Sequence, residues 1–443
     1  MMSTFTLAKS FLLSKIREHY SRDHILKIQE KKVRKQLLYA FDHSTFYHEL
    51  YTKNGISRKD LHTIDLEKIP SVDKEMIMEH FNDVLTTDDI TKEDVLDFLD
   101  KSTHTNDLFK NKYHILHTSG SSGQLGIFVY SKKEWDALYP YITSVFDFNF
   151  RKHKSVFIGA VGGHFTGASF ISWCTNGVTR FFCDPLIIDV NDPLDEIIKR
   201  LNEFQPDILG GYFNALKVLA QKQRENELSI DPKILTNCGE GLNQKDKTFI
   251  ENVFQAPMSN LYSFAECYVL GFGKKEYDGI YLRDDICLVE IKKDHILITN
   301  LINKVEPLIR YRIDDFITPK KDKKKQLPFT LIDTVVGRAE FVIWFENKHG
   351  KMDFIHPLIF TDFYVKGLDK LQIAITSKTS FEFRAVIKSE DKKRVLDEIK
   401  MKLDKILQDK HFSNVTYTIN EYDSLRPDEK TRKFSLIVDE TKN

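Results

Sequence analysis

Apolar residues recur at helical spacing in the first part of the chain, which predicts helices from residue 1 to about residue 55. Helical turns are expected to continue beyond Pro70, where Ser71 could cap a helix beginning near Asp73. Residues 1–110 are therefore predicted to form a helical region. The apolar stripe that carries this prediction consists of Leu26, Ile28, Val33, Leu37, Leu38 and Phe41.

Between residue 112 and about residue 336, short apolar runs alternate with helical segments. Such alternation of strand, helix and strand is typical of a parallel sheet in an α/β fold. The segment between the last two of these runs has apolar residues at helical spacing: Leu216, Val218, Leu219 and Ala220. The strands are predicted at residues 155–159, 177–182, 207–210 and 233–236.

The pattern changes again after Asp278, where two short apolar runs predict an antiparallel hairpin at residues 287–291 and 295–299. The last hundred residues resemble a separate α+β unit. Its strands are predicted at residues 341–345, 381–387 and 414–419, and its helix carries the stripe Val395, Leu396, Ile399, Leu403 and Ile406. We expect an α/β protein with a large N-terminal domain of mixed sheets flanked by helices, residues 1–338, and a small mobile lid domain, residues 339–443.

Composition and charge exclude several classes of function. The 443 residues are 41% hydrophobic, enough for large buried cores. Because 65 basic residues balance 65 acidic ones, no net field would draw the protein to nucleic acid, and the basic run 320–325 is predicted to be a solvated loop. No apolar run approaches the roughly 20 residues of a membrane helix, and the run 11–13 is too short for a signal-peptide core.

The cysteines favour a reducing compartment. They are scattered, odd in number and form no Cys-x-x-Cys pair, which argues against a disulfide framework and against a structural zinc site. We therefore expect a cytoplasmic protein. The five are Cys174, Cys183, Cys238, Cys267 and Cys287.

The most informative segment is residues 117–126, where three glycines and four hydroxyl residues occupy ten positions. Glycine tolerates the backbone angles that aim successive N–H groups at one anion, and hydroxyls add donors without bulk. Apolar runs on both sides predict that this loop joins two strands of one sheet. A kinase-type phosphate loop is disfavoured because the Gly-Lys-Ser/Thr ending and the helical context are missing. The alternative is a flexible surface linker.

Two further segments could approach a nucleotide. Residues 238–241, Cys-Gly-Glu-Gly, directly follow a predicted strand, where glycines let a flat ring or a phosphate approach the backbone. The alternative is an ordinary strand-to-helix turn. In residues 262–267, Glu266 follows an aromatic residue and a hydroxyl and could hold magnesium on a phosphate. The alternative is a helix start with Glu266 in its first turn.

The remaining two segments lie later in the chain. Residues 307–315 end in two acidic residues that could grip the vicinal hydroxyls of a ribose, and Arg338 follows within one more strand. The alternative is a charged surface hairpin. Residues 426–433 place Lys430 on a loop that could deliver a compact cation to a reacting phosphate, against the alternative of a solvated basic tail.

The order of these segments resembles the adenylate-forming superfamily, and within it most closely the phenylacetate–CoA ligase branch. Residues 118–123 match its Thr-Ser-Gly-Thr-Thr-Gly, and residues 307–315 match its Pro-Leu-Ile-Arg-Tyr-Arg-Thr-Gly-Asp. The resemblance spans about residues 35 to 435. Further matches lie at residues 44–47, 69–74, 165–168, 238–240 and 299–301.

The chain departs from the pattern of that branch at several positions. Gln124 replaces the usual lysine after the loop, Asp314 replaces a glycine, and Glu429 replaces the glycine before the late lysine. At the hinge, Glu340 stands for an aspartate and Phe341 for a second one. Because none of these changes removes an essential charge, we expect a working enzyme.

The resemblance implies that a carboxylate attacks the α-phosphate of Mg-ATP, and that a thiol then displaces AMP to give a thioester. Glu266 would hold magnesium, Asp315 would accept the ribose hydroxyls beside Arg338, and Lys430 would neutralise charge at the α-phosphate. The C-terminal domain would rotate about Glu340 between the two steps. The other residues implied in nucleotide binding are Thr118, Ser119, Gly120, Ser121, Ser122, Gly123, Gly239, Glu240, Gly241 and Tyr262.

Substrate and acceptor are less specified by the sequence. Phe165, Phe213 and Phe264 could line an apolar slot for an aromatic or arylacetic acid. The acceptor is expected to be coenzyme A, or else the phosphopantetheine of a carrier protein. The alternatives are an adenylating enzyme of specialised-metabolite or polysaccharide synthesis and a non-catalytic nucleotide-binding protein. A homodimer is possible, and no nucleic-acid or membrane partner is expected.

Overall fold

A computed structural model of the chain provides the coordinates. It describes residues 4–102, 104–118, 125–143, 152–161, 163–173, 183–242, 244–293, 295–315, 317–333, 342–361, 363, 365–425 and 436–442. The predicted strand at 177–182 lies outside these residues, as do Cys174, the loop residues 119–124, Arg338, Glu340, Phe341 and Lys430.

The N-terminal region is helical, as its apolar spacing predicts. Ser21 and Ser44 cap two of its helices by accepting hydrogen bonds from the backbone N–H groups of His24 at 3.2 Å and Tyr47 at 3.4 Å. The helices are α1 (Thr4–Arg17), α2 (Arg22–His43), α3 (Thr45–Lys53), α4 (Lys74–Glu79), α5 (Phe81–Val84) and α6 (Lys92–Lys101).

The start of α4 corrects one prediction. Asp73, not Ser71, is the cap, because its carboxylate accepts a hydrogen bond from the backbone N–H of Met76 at 2.9 Å. Val72 is extended and pairs with Tyr311 as an isolated bridge, so the chain reaches helical geometry only after it.

A hairpin and a large sheet follow the helical region. The hairpin consists of β1 (Tyr113–Thr118) and β2 (Gly126–Ser131), which pair in antiparallel register across the Ser/Gly loop as the apolar runs predict. The next elements are α7 (Lys132–Thr143), β3 (His153–Gly159), α8 (Thr166–Trp173), β4 (Cys183–Asp189), α9 (Leu194–Phe204), β5 (Ile208–Gly211), α10 (Phe213–Arg224), β6 (Ile234–Cys238), α11 (Gln244–Phe254), β7 (Met258–Tyr262), β8 (Gly271–Gly273) and β9 (Ile280–Leu282).

Among the residues described, the large sheet has eight strands, and the last of them in sequence, β13 (Leu331–Ile332), lies at one edge. Strands β4, β3, β5, β6 and β7 run parallel, and β8, β9 and β13 continue the sheet in antiparallel pairing. Apolar side chains of α9, α10 and α11 pack with those of the parallel strands into one buried cluster. A parallel arrangement places the carboxyl ends of successive strands at one edge, where ligands bind in open α/β sheets.

A smaller antiparallel sheet lies beside the hairpin. It consists of β10 (Cys287–Ile291), β11 (Ile296–Asn300) and β12 (Tyr311–Ile313), and the first two are the hairpin predicted after Asp278. The basic run 320–325 lies in an irregular, largely exposed segment, as predicted. No helix of the described residues is both long enough and apolar enough to cross a membrane.

The C-terminal residues form an α+β unit with a core of its own. Its four-stranded sheet has the order β18-β17-β16-β19, and α13 packs its buried face into the same cluster. The elements are β14 (Ile343–Glu346), β15 (Met352–Ile355), α12 (Leu358–Thr361), β16 (Leu368–Ser377), β17 (Ser380–Ile387), α13 (Lys392–Asp409), β18 (Thr416–Glu421) and β19 (Ile437–Asp439).

The two-stranded sheet β14–β15 connects this unit to the large sheet. Ile343 and Phe345 point into the C-terminal cluster, whereas Trp344 and Phe354 pack against the cluster around α9 and α10. The alternation of side chains along a strand gives each face a different partner. The C-terminal unit is therefore docked on the helices that cover the parallel strands.

Candidate functional site

Several elements of the large domain meet at the end of β7. The hydroxyl of Tyr262, the last residue of β7, donates a hydrogen bond to Oδ2 of Asp315 at 2.8 Å. The two residues are 53 positions apart, and Asp315 follows directly after β12 and Asp314. The structure thus brings together the residues that the sequence assigns to adenine and to ribose.

Glu266 lies within the same group of residues and is buried. Its pKa is raised to about 7, mainly by burial and to a lesser extent by the charge of Asp315, while a backbone hydrogen bond, the charge of Lys74 and a hydrogen bond with Tyr311 oppose this shift. Asn300 fixes the segment by donating from Nδ2 to the backbone oxygen of Glu266 at 3.1 Å. A buried carboxyl with a strongly displaced pKa in such a place is typical of a functional site.

Lys74 is a residue of this site that sequence reasoning missed. It is the first residue of α4, and the charge of Glu266 raises its pKa, although burial has the larger effect and lowers the pKa overall. Its Cε also approaches Gly126, where an added Cβ would lie 3.1 Å from that atom and 2.5 Å from Oγ1 of Thr118. Thr118, Lys74 and Glu266 are therefore neighbours at the base of the Ser/Gly loop.

Long-range backbone pairing brings Lys74 to this place. The backbone N–H of Val72 donates to the oxygen of Arg310 at 3.2 Å, and that of Arg312 donates back to Val72 at 2.8 Å. Arg310 is itself held by two hydrogen bonds to the Glu290 carboxylate, at 2.8 and 2.9 Å. The only sequence signal for Lys74 is its position at the end of residues 69–74, which match the phenylacetate–CoA ligase pattern.

The hairpin is tied to the segment that carries Glu266. Tyr130 donates from its hydroxyl to the backbone oxygen of Ala265 at 2.7 Å, and the backbone N–H of Val129 donates to Glu306 at 2.6 Å. Complete burial raises the pKa of the Glu306 carboxyl well above its ordinary value. The Ser/Gly loop therefore leads directly into a strand, β2, whose position relative to Glu266 is fixed by these hydrogen bonds.

The Gly-Glu-Gly segment has a different environment. Gly239 has a φ of +77°, a left-handed value that favours glycine, and an added Cβ would lie 3.1 Å from the Tyr212 ring. The Glu240 carboxylate accepts hydrogen bonds from the backbone N–H of Asn214 at 2.8 Å and from its Nδ2 at 3.1 Å, and lies 3.2 Å from Nε2 of His356. Gly241 follows this anchored residue directly.

Burial alone would raise the pKa of Glu240, but His356 and the hydrogen bonds from Asn214 hold it below its ordinary value. The Glu240 side chain therefore anchors the start of α10 and a residue of the C-terminal unit. Sequence reasoning missed this anchor because His356 is remote in the chain.

The three phenylalanines assigned to the acid slot occupy different surroundings. Phe264 packs edge-on against Tyr262 with ring centroids 5.1 Å apart, and Phe165 packs edge-on against His117 at 4.4 Å. Phe213 is buried in the cluster around α9, α10 and α11. Phe165 and Phe264 remain the residues with which a slot near the hairpin could be built.

The residues described hold no group of three or more His, Cys, Asp or Glu side chains that could bind a metal by themselves. A single buried carboxylate such as that of Glu266 matches a magnesium ion that takes most of its ligands from phosphates and water. Free thiols are found at Cys183, Cys238, Cys267 and Cys287.

The described chain has the fold of the adenylate-forming acyl-CoA ligases. 2-Hydroxyisobutyryl-CoA ligase, solved with 2-HIB-AMP and CoA in the thioesterification state, superposes with a TM-score of 0.61 and 16% identity over 96% of this chain and 91% of its own. The same enzyme in the postadenylation state with R3-HIB-AMP gives a TM-score of 0.60, again at 16% identity, over 96% and 92%. The predicted α/β class is confirmed, as is the superfamily resemblance at the level of the fold.

Sequence comparison adds one curated relative. The chain is 22% identical to Protein CapK of Staphylococcus aureus over 332 residues, which cover 70% of this chain and 68% of CapK. No protein-family model matches the sequence. The phenylacetate–CoA ligase branch remains a prediction.

Proposed function

We propose that the protein uses ATP to activate a carboxylic acid as its acyl-adenylate and then transfers the acyl group to a thiol, coenzyme A in the first instance. The observation that carries this proposal is the group formed by Tyr262, Asp315, Glu266 and Lys74 at the base of the Ser/Gly loop. It combines a ribose acceptor, a buried carboxyl and a cation next to a loop rich in N–H and hydroxyl donors. The fold shared with ligases solved with acyl-adenylates and CoA supports the same chemistry.

In the first step, a carboxylate oxygen of the acid attacks the α-phosphorus of ATP and pyrophosphate leaves. In the second step, the thiol sulfur attacks the acyl carbon, AMP leaves and the thiol proton is released. Such chemistry requires positioning and charge neutralisation from the protein rather than covalent catalysis.

Each residue then has a role in positioning. Asp315, held by Tyr262, would accept the ribose hydroxyls, and Lys74 would neutralise phosphate charge. Residues 119–123 would donate to the β- and γ-phosphates, and the backbone at Gly239 and Gly241 would face the adenine. Arg338 would lie beside the ribose.

Glu266 would hold magnesium as a carboxylate, and the ion would supply further charge neutralisation for the phosphates. Because the pKa of this carboxyl is raised to about 7, binding of a cation would favour its ionised form.

The acid is proposed to be aromatic or arylacetic, since Phe165 and Phe264 offer ring faces and edges near the hairpin. The C-terminal unit would act as a lid that brings Lys430 to the α-phosphate and rotates about Glu340 before thiol transfer. We expect Lys430→Ala to impair adenylate formation far more than thiol transfer from a supplied acyl-adenylate. Equal loss in both steps would contradict this role.

The experiment that tests the proposal is exchange of labelled pyrophosphate into ATP, screened over aromatic and aliphatic acids. Acid-dependent exchange supports acid activation, and its absence with every acid would favour a non-catalytic nucleotide-binding protein. Release of AMP on addition of coenzyme A then tests the acceptor. If AMP release requires a phosphopantetheinylated carrier protein instead, the enzyme loads a carrier.

A further inference from the structure

His117 lies beside the proposed site without a role in it. It is the second-last residue of β1, immediately before Thr118, in a strand whose successive side chains point to opposite faces. Thr118 faces Lys74 and Gly126, on the side of Glu266. His117 therefore points to the opposite face of the hairpin, toward the segment that follows β3.

Two contacts of the ring and one backbone hydrogen bond describe the surroundings of His117. Its edge-on packing against Phe165 puts the ring centroids 4.4 Å apart, with an interplanar angle of 62°. Its Nε2 approaches Gly163 so closely that an added Cβ there would lie 2.8 Å away. The backbone N–H of His117 donates to the oxygen of His164 at 3.2 Å, which fixes the strand against this segment.

The other ring nitrogen of His117 is Nδ1. Nδ1 is buried and has no hydrogen-bond partner among the described residues. Burial, with a further contribution from His164, lowers the pKa of His117 to about 4, so the ring is neutral near pH 7. A buried polar atom normally has a hydrogen-bond partner, so an unpaired one beside a proposed site calls for an explanation, of which a ligand is one.

We propose that Nδ1 of His117 forms a hydrogen bond with a hydroxyl on the acyl part of the substrate, so that the protein selects hydroxylated carboxylic acids over their unsubstituted analogues. This inference rests on the proposed function, because it assigns the Phe165 side of the hairpin to the acyl group. Phe165 supplies an apolar wall and Nδ1 a polar contact, a combination that suits an acid with an apolar body and a hydroxyl. A neutral imidazole can accept from that hydroxyl or donate to it, depending on the tautomer.

The first test measures kcat/KM in pyrophosphate exchange with acids that differ by one hydroxyl: mandelate and 4-hydroxyphenylacetate against phenylacetate, and 2-hydroxyisobutyrate against isobutyrate. We expect the wild type to favour a hydroxylated acid by about tenfold or more, because a site built to bind a hydroxyl rejects the analogue that lacks it. His117→Phe should reduce this preference to within about threefold. His117→Asn should restore part of it, since the amide can still hydrogen-bond.

Two results of this test would overturn the assignment. One is a wild type without preference for any hydroxylated acid. The other is a His117→Phe variant that loses activity equally with both members of a pair, because that result would mean that His117 only supports the strand. Circular dichroism and thermal unfolding of both variants show whether the fold is kept.

A second measurement does not depend on turnover. The ring resonances of 15N-labelled His117, assigned by their loss in His117→Asn, are followed while each acid is added to the protein. We expect a hydroxylated acid to shift the Nδ1 resonance and its analogue to leave it in place. Equal shifts, or none, would overturn the assignment. Selective shifts without any exchange would contradict the proposed function alone, and exchange without hydroxyl preference would contradict the role of His117 alone.

Discussion

Two buried glutamates of the large domain, Glu266 at the candidate site and Glu240 at a structural anchor, have pKa values shifted in opposite directions. At the end of β7, burial raises the pKa of Glu266 to about 7, because a backbone hydrogen bond, the charge of Lys74 and a hydrogen bond with Tyr311 offset the effect of burial only in part. At the start of α10, Glu240 is also buried, but His356 and Asn214 hold its pKa below the ordinary value. A buried charge in a structural contact, such as that of Glu240, requires neighbours that offset it. A buried carboxyl whose charge is not fully offset, such as Glu266, can gain from a bound cation.

The contrast is between the two glutamates and does not extend to the neighbouring lysines. Burial lowers the pKa of Lys74 beside Glu266, and it also lowers the pKa of Lys410 where the C-terminal unit docks. Lys410 donates to the backbone oxygen of Asp192 at 2.8 Å and lies 3.5 Å from the Asp353 carboxylate.

The largest effect is expected from Glu266→Gln. It removes the charge but keeps the shape, so pyrophosphate exchange should fall by roughly a hundredfold or more, as when a group that stabilises developing charge is lost. Stability above pH 7 should stay the same or rise. A carboxyl whose folded pKa is about 7 weakens the fold as pH increases from its ordinary value of about 4.3 toward 7, and glutamine does not titrate.

Chemical unfolding at pH 8, run beside the exchange assay, checks both parts of this prediction. A variant that unfolds more easily and keeps its exchange activity would reverse the roles assigned to the two glutamates.

Glu240→Ala should show the opposite behaviour. It leaves His356 and the start of α10 without their carboxylate, and breaking a buried pair in this way costs about 3 kcal/mol of unfolding free energy. Urea unfolding measures this loss. Exchange per folded molecule should change by less than about threefold, which corresponds to less than 1 kcal/mol. Loss of exchange without loss of stability would instead indicate that the Glu240 side chain binds the nucleotide.

The sequence predicts the elements on each side of this comparison better than it predicts their partners. The β10 strand lies where its apolar run predicts, and Tyr262, Glu266 and Asp315 are all found at one place. Local periodicity and the order of segments carry that information. Lys74 and His356 were missed because their roles depend on contacts between parts of the chain that are remote in sequence.

One cap shows where a local signal misleads. Ser71 has the right chemistry for a cap, but backbone pairing of Val72 with Tyr311 moves the helix start, so that Asp73 becomes the cap. Tertiary pairing outweighs the local preference there. The strand β4 at Cys183–Asp189 was missed because its residues include two aspartates and a proline, which weaken the strand signal.

The pH dependence of exchange should reflect Glu266. Its carboxylate forms as pH rises through about 7, so exchange should increase with pH up to about that value and then level off. The value of kcat/KM for ATP between pH 5.5 and 8.5 provides the measurement, because it reports the pKa of the free enzyme, and the residual activity of Glu266→Gln is the control. A wild-type profile that is flat from pH 6 to 8, or a glutamine variant with the same rise, would contradict this origin.

The smallest effect is expected from Tyr262→Phe. The change removes one hydrogen bond to Asp315, which is worth about 1.5 to 3 kcal/mol when one partner is charged, and leaves the ring in place. Since ribose binding is the same in the ground state and the transition state, KM for ATP should rise roughly tenfold at nearly constant kcat. A fall in kcat at constant KM would show that Tyr262 acts on the reacting groups.

The most direct test of the central claim is acid-dependent pyrophosphate exchange, compared between wild type, Glu266→Gln and Glu240→Ala at equal concentrations of folded protein. The account predicts exchange in the wild type and in Glu240→Ala, and almost none in Glu266→Gln. Exchange in Glu266→Gln at the wild-type rate would contradict the account, because it would show that the Glu266 carboxyl has no role in the reaction with ATP.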